Sequence, residues 1–292
     1  MEIWQLQQKQ SLPLEAKVTL SQQRIKEWYD YWDEQVYISF SGGKDSSVLL
    51  HLAREVYSSI PACFVNTGLE FPEVTDYIKT IDNVDWRKPK IPFKKVIETF
   101  GYPVVNKEQS EYLYDYREKQ SEKLKHKRWY GDHKKRFKIS EKWKFLVDAP
   151  FKISDYCCDV LKKRPFEKYE KETNRKPILG TMAADSNQRK QQYLRHGGCN
   201  AFNLTRPHSS PLSVWTDDDI WEYIHTRNLR YARIYDMGWQ NTGCMFCLFG
   251  IHREEEPNRF QRMKETHPKQ YNYCMNNLKI KEVLEFMNIP YE

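Results

Sequence analysis

No stretch of the 292 residues approaches the ~18 consecutive apolar positions that a membrane-spanning helix requires. The N-terminus, Met1-Glu2-Ile3-Trp4-Gln5, has neither a basic start nor an apolar core segment, so export is not expected and the cytoplasm is the expected compartment. Internal repeats and low-complexity tracts are absent, apart from one basic segment. What is there is polar: charged residues make up 30%, hydrophobic ones 39%, and mean hydropathy is −0.84. These values predict a soluble protein without a membrane partner. The length suffices for a large core, either one α/β domain or one with a smaller addition.

The chain also lacks a Walker A loop, which needs Gly, four residues, then Gly-Lys-Ser/Thr. In its place Ser39-Phe40-Ser41-Gly42-Gly43-Lys44-Asp45-Ser46-Ser47 stands between the apolar run Val36 to Ile38 and the helical run Val48 to Ala53. That order reads as strand, glycine turn and helix start. Two adjacent glycines let the backbone approach an anion closely, and the free N–H groups opening the helix supply donors and a favourable dipole. Phosphate is the expected ligand; the alternative is a plain turn with Lys44 and Asp45 in solvent. Ser41-Gly42-Gly43-Lys44-Asp45-Ser46 resembles the PP-loop of the ATP pyrophosphatase superfamily.

Seven cysteines include two close pairs, Cys157-Cys158 and Cys244-x-x-Cys247, and four thiolates can close one metal site. Zinc usually draws each pair from a spaced turn rather than from adjacent cysteines, and disulfides are not expected in a reducing compartment. Asp155-Tyr156-Cys157-Cys158-Asp159-Val160-Leu161-Lys162-Lys163-Arg164-Pro165 with Thr242-Gly243-Cys244-Met245-Phe246-Cys247 resembles the [4Fe-4S] pattern of adenylyl-sulfate reductases in the phosphoadenylyl-sulfate (PAPS) reductase family. The resemblance implies a [4Fe-4S] cluster on Cys157, Cys158, Cys244 and Cys247. Zinc remains the closest rival, and buried structural cysteines the simplest alternative.

Residues Leu14 to Trp32 carry helical spacing, with Ser21 and Arg24 as a start signal. A strand is expected at Val36 to Phe40, a helix at Ser46 to Tyr57 and a strand at Ala62 to Asn66, which makes a parallel βαβ unit. Helices are expected over Glu73 to Thr80 and Phe93 to Phe100, with Asp85 to Phe93 extended between them. Lys176 to Met182 reads as another buried strand, Ala183 to Arg195 as a polar segment opening as a loop, and Asp217 onward as a helix capped by Thr216. The expected fold is therefore α/β, a Rossmann-like (adenine nucleotide alpha hydrolase-like) parallel sheet with helices on both faces, plus a C-terminal cluster-bearing region. The expected organisation is an N-terminal helical segment over 1–35, a nucleotide-binding domain over 36–225 with a basic insertion at 117–144, and a C-terminal region over 226–292. Ligands of open α/β sheets bind at the strands' carboxyl ends. Ser39, Ser41, Gly42, Gly43, Lys44, Asp45 and Ser46, with Asn66, Thr67, Gly68, Glu70 and Arg189, are accordingly the candidate nucleotide-binding residues.

Between Arg117 and Lys144 twelve Lys/Arg face four acids, a net +8 in a chain whose whole net charge is +7. Trp129, Tyr130, Phe137 and Trp143 interleave the cations, the combination expected of a nucleic-acid contact. The alternative is a solvated helix with its aromatics in the core.

The motif Ser210-Pro211-Leu212-x-x-Trp215-x-x-x-Asp219-Ile220-Trp221-x-Tyr223-Ile224 also resembles the PAPS-reductase family, so the likeness extends over roughly 36–247. In related ATP pyrophosphatases a nucleophile attacks the α-phosphorus and pyrophosphate leaves. The likeness implies that Lys44 offsets charge on that leaving group and that Asp45 helps hold Mg2+. Sulfonucleotide reductases tend to lose the lysine and carry a cysteine in a Glu-Cys-Gly-Leu/Ile-His tail. This chain keeps Lys44 and has no cysteine beyond Cys274. Cys199, in a glycine loop after the cationic stretch Arg189 to Arg195, is the candidate nucleophilic or sulfur-carrying thiol, since nearby positive charge favours thiolate. The expected activity is ATP-dependent adenylation of an acceptor, tRNA or DNA among the candidates, followed by sulfur transfer from a sulfur donor or reductant protein. The alternatives are an APS or PAPS reductase producing sulfite and a non-catalytic nucleic-acid-binding module.

Overall fold

The computed structural model describes residues 2–292. In chain order the helices are α1 (Ile3–Gln10), α2 (Leu14–Tyr31), α3 (Lys44–Val56), α4 (Pro72–Lys79), α5 (Phe93–Phe100), α6 (Lys107–Glu118), α7 (Glu122–Tyr130), α8 (Tyr156–Cys158), α9 (Arg164–Thr173), α10 (Asn187–His196), α11 (Asp217–Thr226), α12 (Arg259–Thr266), α13 (Pro268–Asn272) and α14 (Ile280–Phe286). The strands are β1 (Val36–Phe40), β2 (Ala62–Val65), β3 (Val84–Arg87), β4 (Lys176–Leu179), β5 (Asn200–Ala201) and β6 (His208–Ser209). The described chain divides into two compact units: residues 2–66, 71–88 and 165–242 form one, and residues 67–70, 89–164 and 243–292 the other.

The first unit holds the whole sheet, in the order β3-β2-β1-β4-β6-β5. Every pairing is parallel except β5 with β6. Parallel strands buried on both faces read as near-continuous apolar runs, and Val36, Ile38, Phe40, Ala62, Cys63 and Phe64 are all buried. β1 is flanked by β2 on one side and β4 on the other, so the strand order reverses at its carboxyl end, the point where open α/β sheets place their ligands. This is a Rossmann-like α/β fold. Among the described residues no helix is long and apolar enough to cross a membrane.

One local expectation changes and one is filled in. Helix α2 runs straight through Ser21, which does not start it: the Ser21 hydroxyl is buried, donates to the Pro211 carbonyl at 3.0 Å and accepts the Trp215 indole N–H at 2.9 Å. The polar stretch after β4 opens with a single short turn at Ala183–Asp185 and then forms α10, with the Ser186 hydroxyl accepting from the Arg189 N–H at 3.2 Å. Its apolar period is hidden because Tyr193 is its one fully buried residue. The Pro211-to-Trp215 motif thus anchors α2, and a buried ion pair between Lys17 and Asp219 at 2.6 Å adds a second tie between α2 and α11.

The second unit is helical. Helix α6 packs on α7, and α12, α13 and α14 pack in succession through a π turn at Tyr273–Asn277.

Candidate functional site

The loop after β1 turns at Gly42 with φ +72°, a conformation that costs other residues about 1–2 kcal/mol. A Cβ there would also lie 2.6 Å from the side chain of the fully buried Ile78. Across the loop, Gly180 follows β4, and a Cβ on it would meet the backbone of Ser46 at 3.1 Å. Glycine at these positions lets two strand ends close on the first turn of α3.

The loop's N–H groups are met by hydroxyls. The Gly43 N–H donates to Ser41 Oγ at 3.3 Å, the Ser41 N–H to Ser46 Oγ at 3.3 Å, and the Lys44 N–H to the Tyr235 hydroxyl at 2.8 Å. Ser46 and Ser47 return their own protons to the Gly43 carbonyl at 2.9 and 3.0 Å. Lys44 is buried, with its ammonium on Asp45 at 3.0 Å and on Asp217. Burial works against that charge, but the two carboxylates prevail and hold the ammonium above its ordinary value. Burial raises the Asp45 carboxyl, Lys44 offsets part of this, and the charges of Asp185 and Asp217 add to it. The site is therefore a glycine turn with a buried cation and convergent hydroxyls, able to exchange its internal hydrogen bonds for those to a phosphate.

The remaining sequence candidates fall into three places. Ser39 lies in β1, paired with Cys63 and Leu179. Asn66 follows β2 with its N–H on the Arg87 carbonyl at 2.8 Å, and exposed Arg189 on α10 pairs with Asp185. Thr67, Gly68 and Glu70 belong to the second unit, where the Thr67 hydroxyl and N–H both donate to the Glu70 carboxylate, at 2.7 and 3.0 Å. Tyr235 and Asp217 join the Lys44 site without any sequence signal. They lie 191 and 173 positions from Lys44, and no local pattern links them to it.

Cys199 and Arg189 share a cavity of about 110 Å3 with Tyr193, His196 and His208. Positive charge near Cys199 is opposed by desolvation. Burial pushes the Cys199 thiol up to about 11, outweighing the opposing effect of Arg24 and Lys9.

In the second unit the four paired cysteines come together. Cys157, Cys158, Cys244 and Cys247 line one cavity with Leu69, Phe93, Leu161 and Lys162. The two segments are positioned by the Met245 N–H on the Leu69 carbonyl at 2.8 Å and by a turn that closes from the Cys247 N–H to the Cys244 carbonyl at 3.1 Å. A π turn over Asp159–Lys163 follows the Cys157-Cys158 pair, a distortion frequent at functional sites. The Lys162 ammonium is held above its ordinary value, first by the charge of Cys244 and further by Glu70 and Cys158. Cys158 is drawn down, chiefly by the hydrogen bond from Cys157 and then by Lys107, Lys162 and Lys163, while Cys157 moves up. Burial raises Cys244 and Cys247. Lys162 follows Cys158 by four residues, a helical spacing that could have marked it.

Among the described residues no three Cys, His, Asp or Glu side chains converge closely enough to share a single metal ion. Four-coordinate zinc requires such convergence, with every sulfur about 2.3 Å from one point. Four cysteines lining one cavity are a donor set that a [4Fe-4S] cluster takes. The cavity measures about 20 Å3 and the Cys157 and Cys158 sulfurs stand 3.9 Å apart.

The profile of the phosphoadenosine phosphosulfate reductase domain matches residues 35–112 and 102–249, most of the chain. The chain belongs to this family. It is 24% identical to an adenosine 5'-phosphosulfate reductase of Anoxybacillus flavithermus over 87% of its own length and 90% of that protein. It is also 27% identical to an uncharacterized protein of Methanocaldococcus jannaschii over 87% of its length, and the matched region spans about half, 51%, of that relative. Among solved structures, phosphoadenylyl-sulfate reductase from Candida auris in its phosphate complex superposes with a TM-score of 0.45 at 17% identity, covering 80% of this chain and 96% of that one.

Proposed function

We propose that this PAPS-reductase family member is an ATP-dependent enzyme that adenylates an acceptor, with tRNA and DNA as candidate classes, and then exchanges AMP for sulfur. The observation that carries the reading is Lys44, a buried cation at the first turn of α3 after the Gly42-Gly43 turn. A leaving pyrophosphate needs such a cation, whereas a sulfonucleotide already lacking pyrophosphate does not. In the proposed step an acceptor oxygen attacks the α-phosphorus, the bond to the β-phosphate oxygen breaks, and pyrophosphate departs as its charge grows against Lys44. Hydrosulfide released by a donor protein then attacks the adenylated carbon or phosphorus, its proton passes to solvent, and AMP carries away the acceptor oxygen. Asp45 is the candidate ligand for Mg2+ on the phosphates.

Cys157, Cys158, Cys244 and Cys247 are the proposed holders of a [4Fe-4S] cluster. When bound, such a group supplies either electron transfer or a rigid organising centre. Lys162 contributes a cation beside the Cys244 and Cys158 sulfurs. The thiols outside this set are poor nucleophiles: burial pushes Cys63 and Cys274 up to about 12 and Cys199 to about 11. Cys199 is part-exposed at its cavity, so a nucleophilic role for it would need a base or a cation that lowers its thiol.

A second reading, reduction of APS or PAPS to sulfite, is favoured by the likeness to adenosine 5'-phosphosulfate reductases over most of the chain. One experiment separates the two. Anaerobically purified protein is offered ATP with Mg2+ and total cellular RNA, and separately APS or PAPS with thioredoxin and reductant. The proposal expects AMP and pyrophosphate, abolished by Lys44→Ala, and little sulfite. Robust sulfite without ATP cleavage overturns it, and neither product under any condition favours a non-catalytic module.

A further inference from the structure

The basic segment is sorted by the structure into an inward half and an outward half. Arg128 is buried: it holds Asp115 at 2.6 Å and Glu111 at 3.1 Å and lies 3.9 Å over the Tyr112 ring. Trp129 stacks on Tyr116 at 5.1 Å, and Trp143 is 7% exposed. Lys125, Arg136, Lys138 and Lys144 are matched by Glu122, Asp132 and Glu141. These groups build the second unit. Six lysines are left exposed with no carboxylate partner among the described residues: Lys119, Lys123, Lys127, Lys134, Lys135 and Lys142.

On α7, Lys123, Lys127 and Tyr130 recur at i, i+4 and i+7 and so share one face. Tyr130 is 61% exposed and Phe137 is 42% exposed, with the Lys127 ammonium 4.6 Å from the Phe137 ring centre. A helix C-terminus favours cations in its last turn, which accounts for Lys127 but not for lysines on the following loop or for rings left in water. An anionic membrane would match the charge, yet this face offers exposed rings without the exposed aliphatic side chains that insert between lipids. Flat exposed rings among uncompensated lysines fit unpaired bases joined by phosphates.

We propose that this face of α7, continued by the loop at Lys134 and Lys135, docks single-stranded nucleic acid, with the lysines on phosphates and Tyr130 stacked on a base. The inference rests on the acceptor reading above only for its purpose; the binding itself requires no ATP.

The test is fluorescence anisotropy of the full chain with labelled 20-nucleotide oligouridine, oligothymidine and a 20-base-pair duplex, and sedimentation with phosphatidylserine vesicles, all without nucleotide. Four phosphate contacts, one for each of Lys123, Lys127, Lys134 and Lys135, give a slope of log K against log salt of about −3 on single strands. Lys123→Gln with Lys127→Gln and Lys134→Gln flattens that slope by about 2. Tyr130→Ala weakens single strands by about tenfold and leaves the duplex little changed, because only an unpaired base stacks. All variants sit on the surface, and unchanged thermal melting confirms folding. A flat salt response, binding to vesicles alone, or equal effects of Tyr130→Ala on single strands and duplex overturns the proposal. Comparison of oligouridine with oligothymidine tells RNA from DNA. Failure of ATP cleavage leaves this assay unaffected, and failure here leaves the adenylation reading standing.

Discussion

The hydroxyl of Tyr235 accepts the backbone N–H of Lys44 at 2.8 Å, taking up the first peptide donor of α3. A hydroxyl that accepts one hydrogen bond is polarised to donate another, and its hydrogen bond with Thr242 Oγ1 is long, 3.4 Å, and open to exchange for an anion. Tyr235 thereby relays the helix's donor toward an arriving anion. Tyr235→Phe should weaken pyrophosphate binding, measured by calorimetry, by about 5- to 10-fold, the worth of one hydrogen bond. Unchanged or tighter binding would show that the hydroxyl competes with phosphate instead.

Anaerobically purified protein should be brown and contain iron and acid-labile sulfide in equal amounts, and Cys158→Ser or Cys244→Ser should lose both. One equivalent of zinc without sulfide, after growth in ample iron, would rule the cluster out. With cluster in place, Lys162→Met removes a cation beside two of its sulfurs, so the reduced, more negative state loses stabilisation. Its midpoint potential, followed by electron paramagnetic resonance, should move in the negative direction.

The buried Lys17 and Asp219 pair ties α2 to α11, with side chains 3% and 11% exposed. Lys17→Met leaves a buried carboxylate without its cation, which costs about 3 kcal/mol. Asp219 keeps its bonds from the Thr216 N–H and hydroxyl, at 2.7 and 2.9 Å. The double variant Lys17→Met, Asp219→Leu should therefore recover part of the loss but forfeit the cap, about 1 kcal/mol. Urea unfolding measures both; a double variant less stable than Lys17→Met alone would contradict the account.

Cys199 should alkylate slowly at pH 8, and its rate, read by peptide mass spectrometry, should climb toward pH 11 rather than level off near the ordinary thiol value. Its folded value, about 11, lies above the ordinary 9.0. Between these the folded state binds the proton and the unfolded state does not, so the contribution to stability present below pH 9 is lost as pH rises to 11. Cys199→Ser should remove that part of the alkaline destabilisation.

Much of the frame was legible along the chain. The apolar run Val36 to Phe40, the glycine pair and the helical run after it lie within one short stretch, and their steric requirements are local, so β1, the turn and α3 followed from the order of residue types. The same holds for the capped start of α11 at Thr216 and for the two cysteine pairs, whose spacing limits their chemistry before any folding. What surrounds each group was decided only by packing. The sequence shows Lys44 but not that Asp217 and Tyr235 close on it from distant segments. It shows cations near Cys199 but not the burial that overrides them, and twelve basic residues between Arg117 and Lys144 but not that Arg128 turns inward while Lys123 and Lys127 remain unpaired. Desolvation and charge pairing depend on which atoms meet across long loops, and in a chain of this length those meetings exist only once the sheet and helices have assembled.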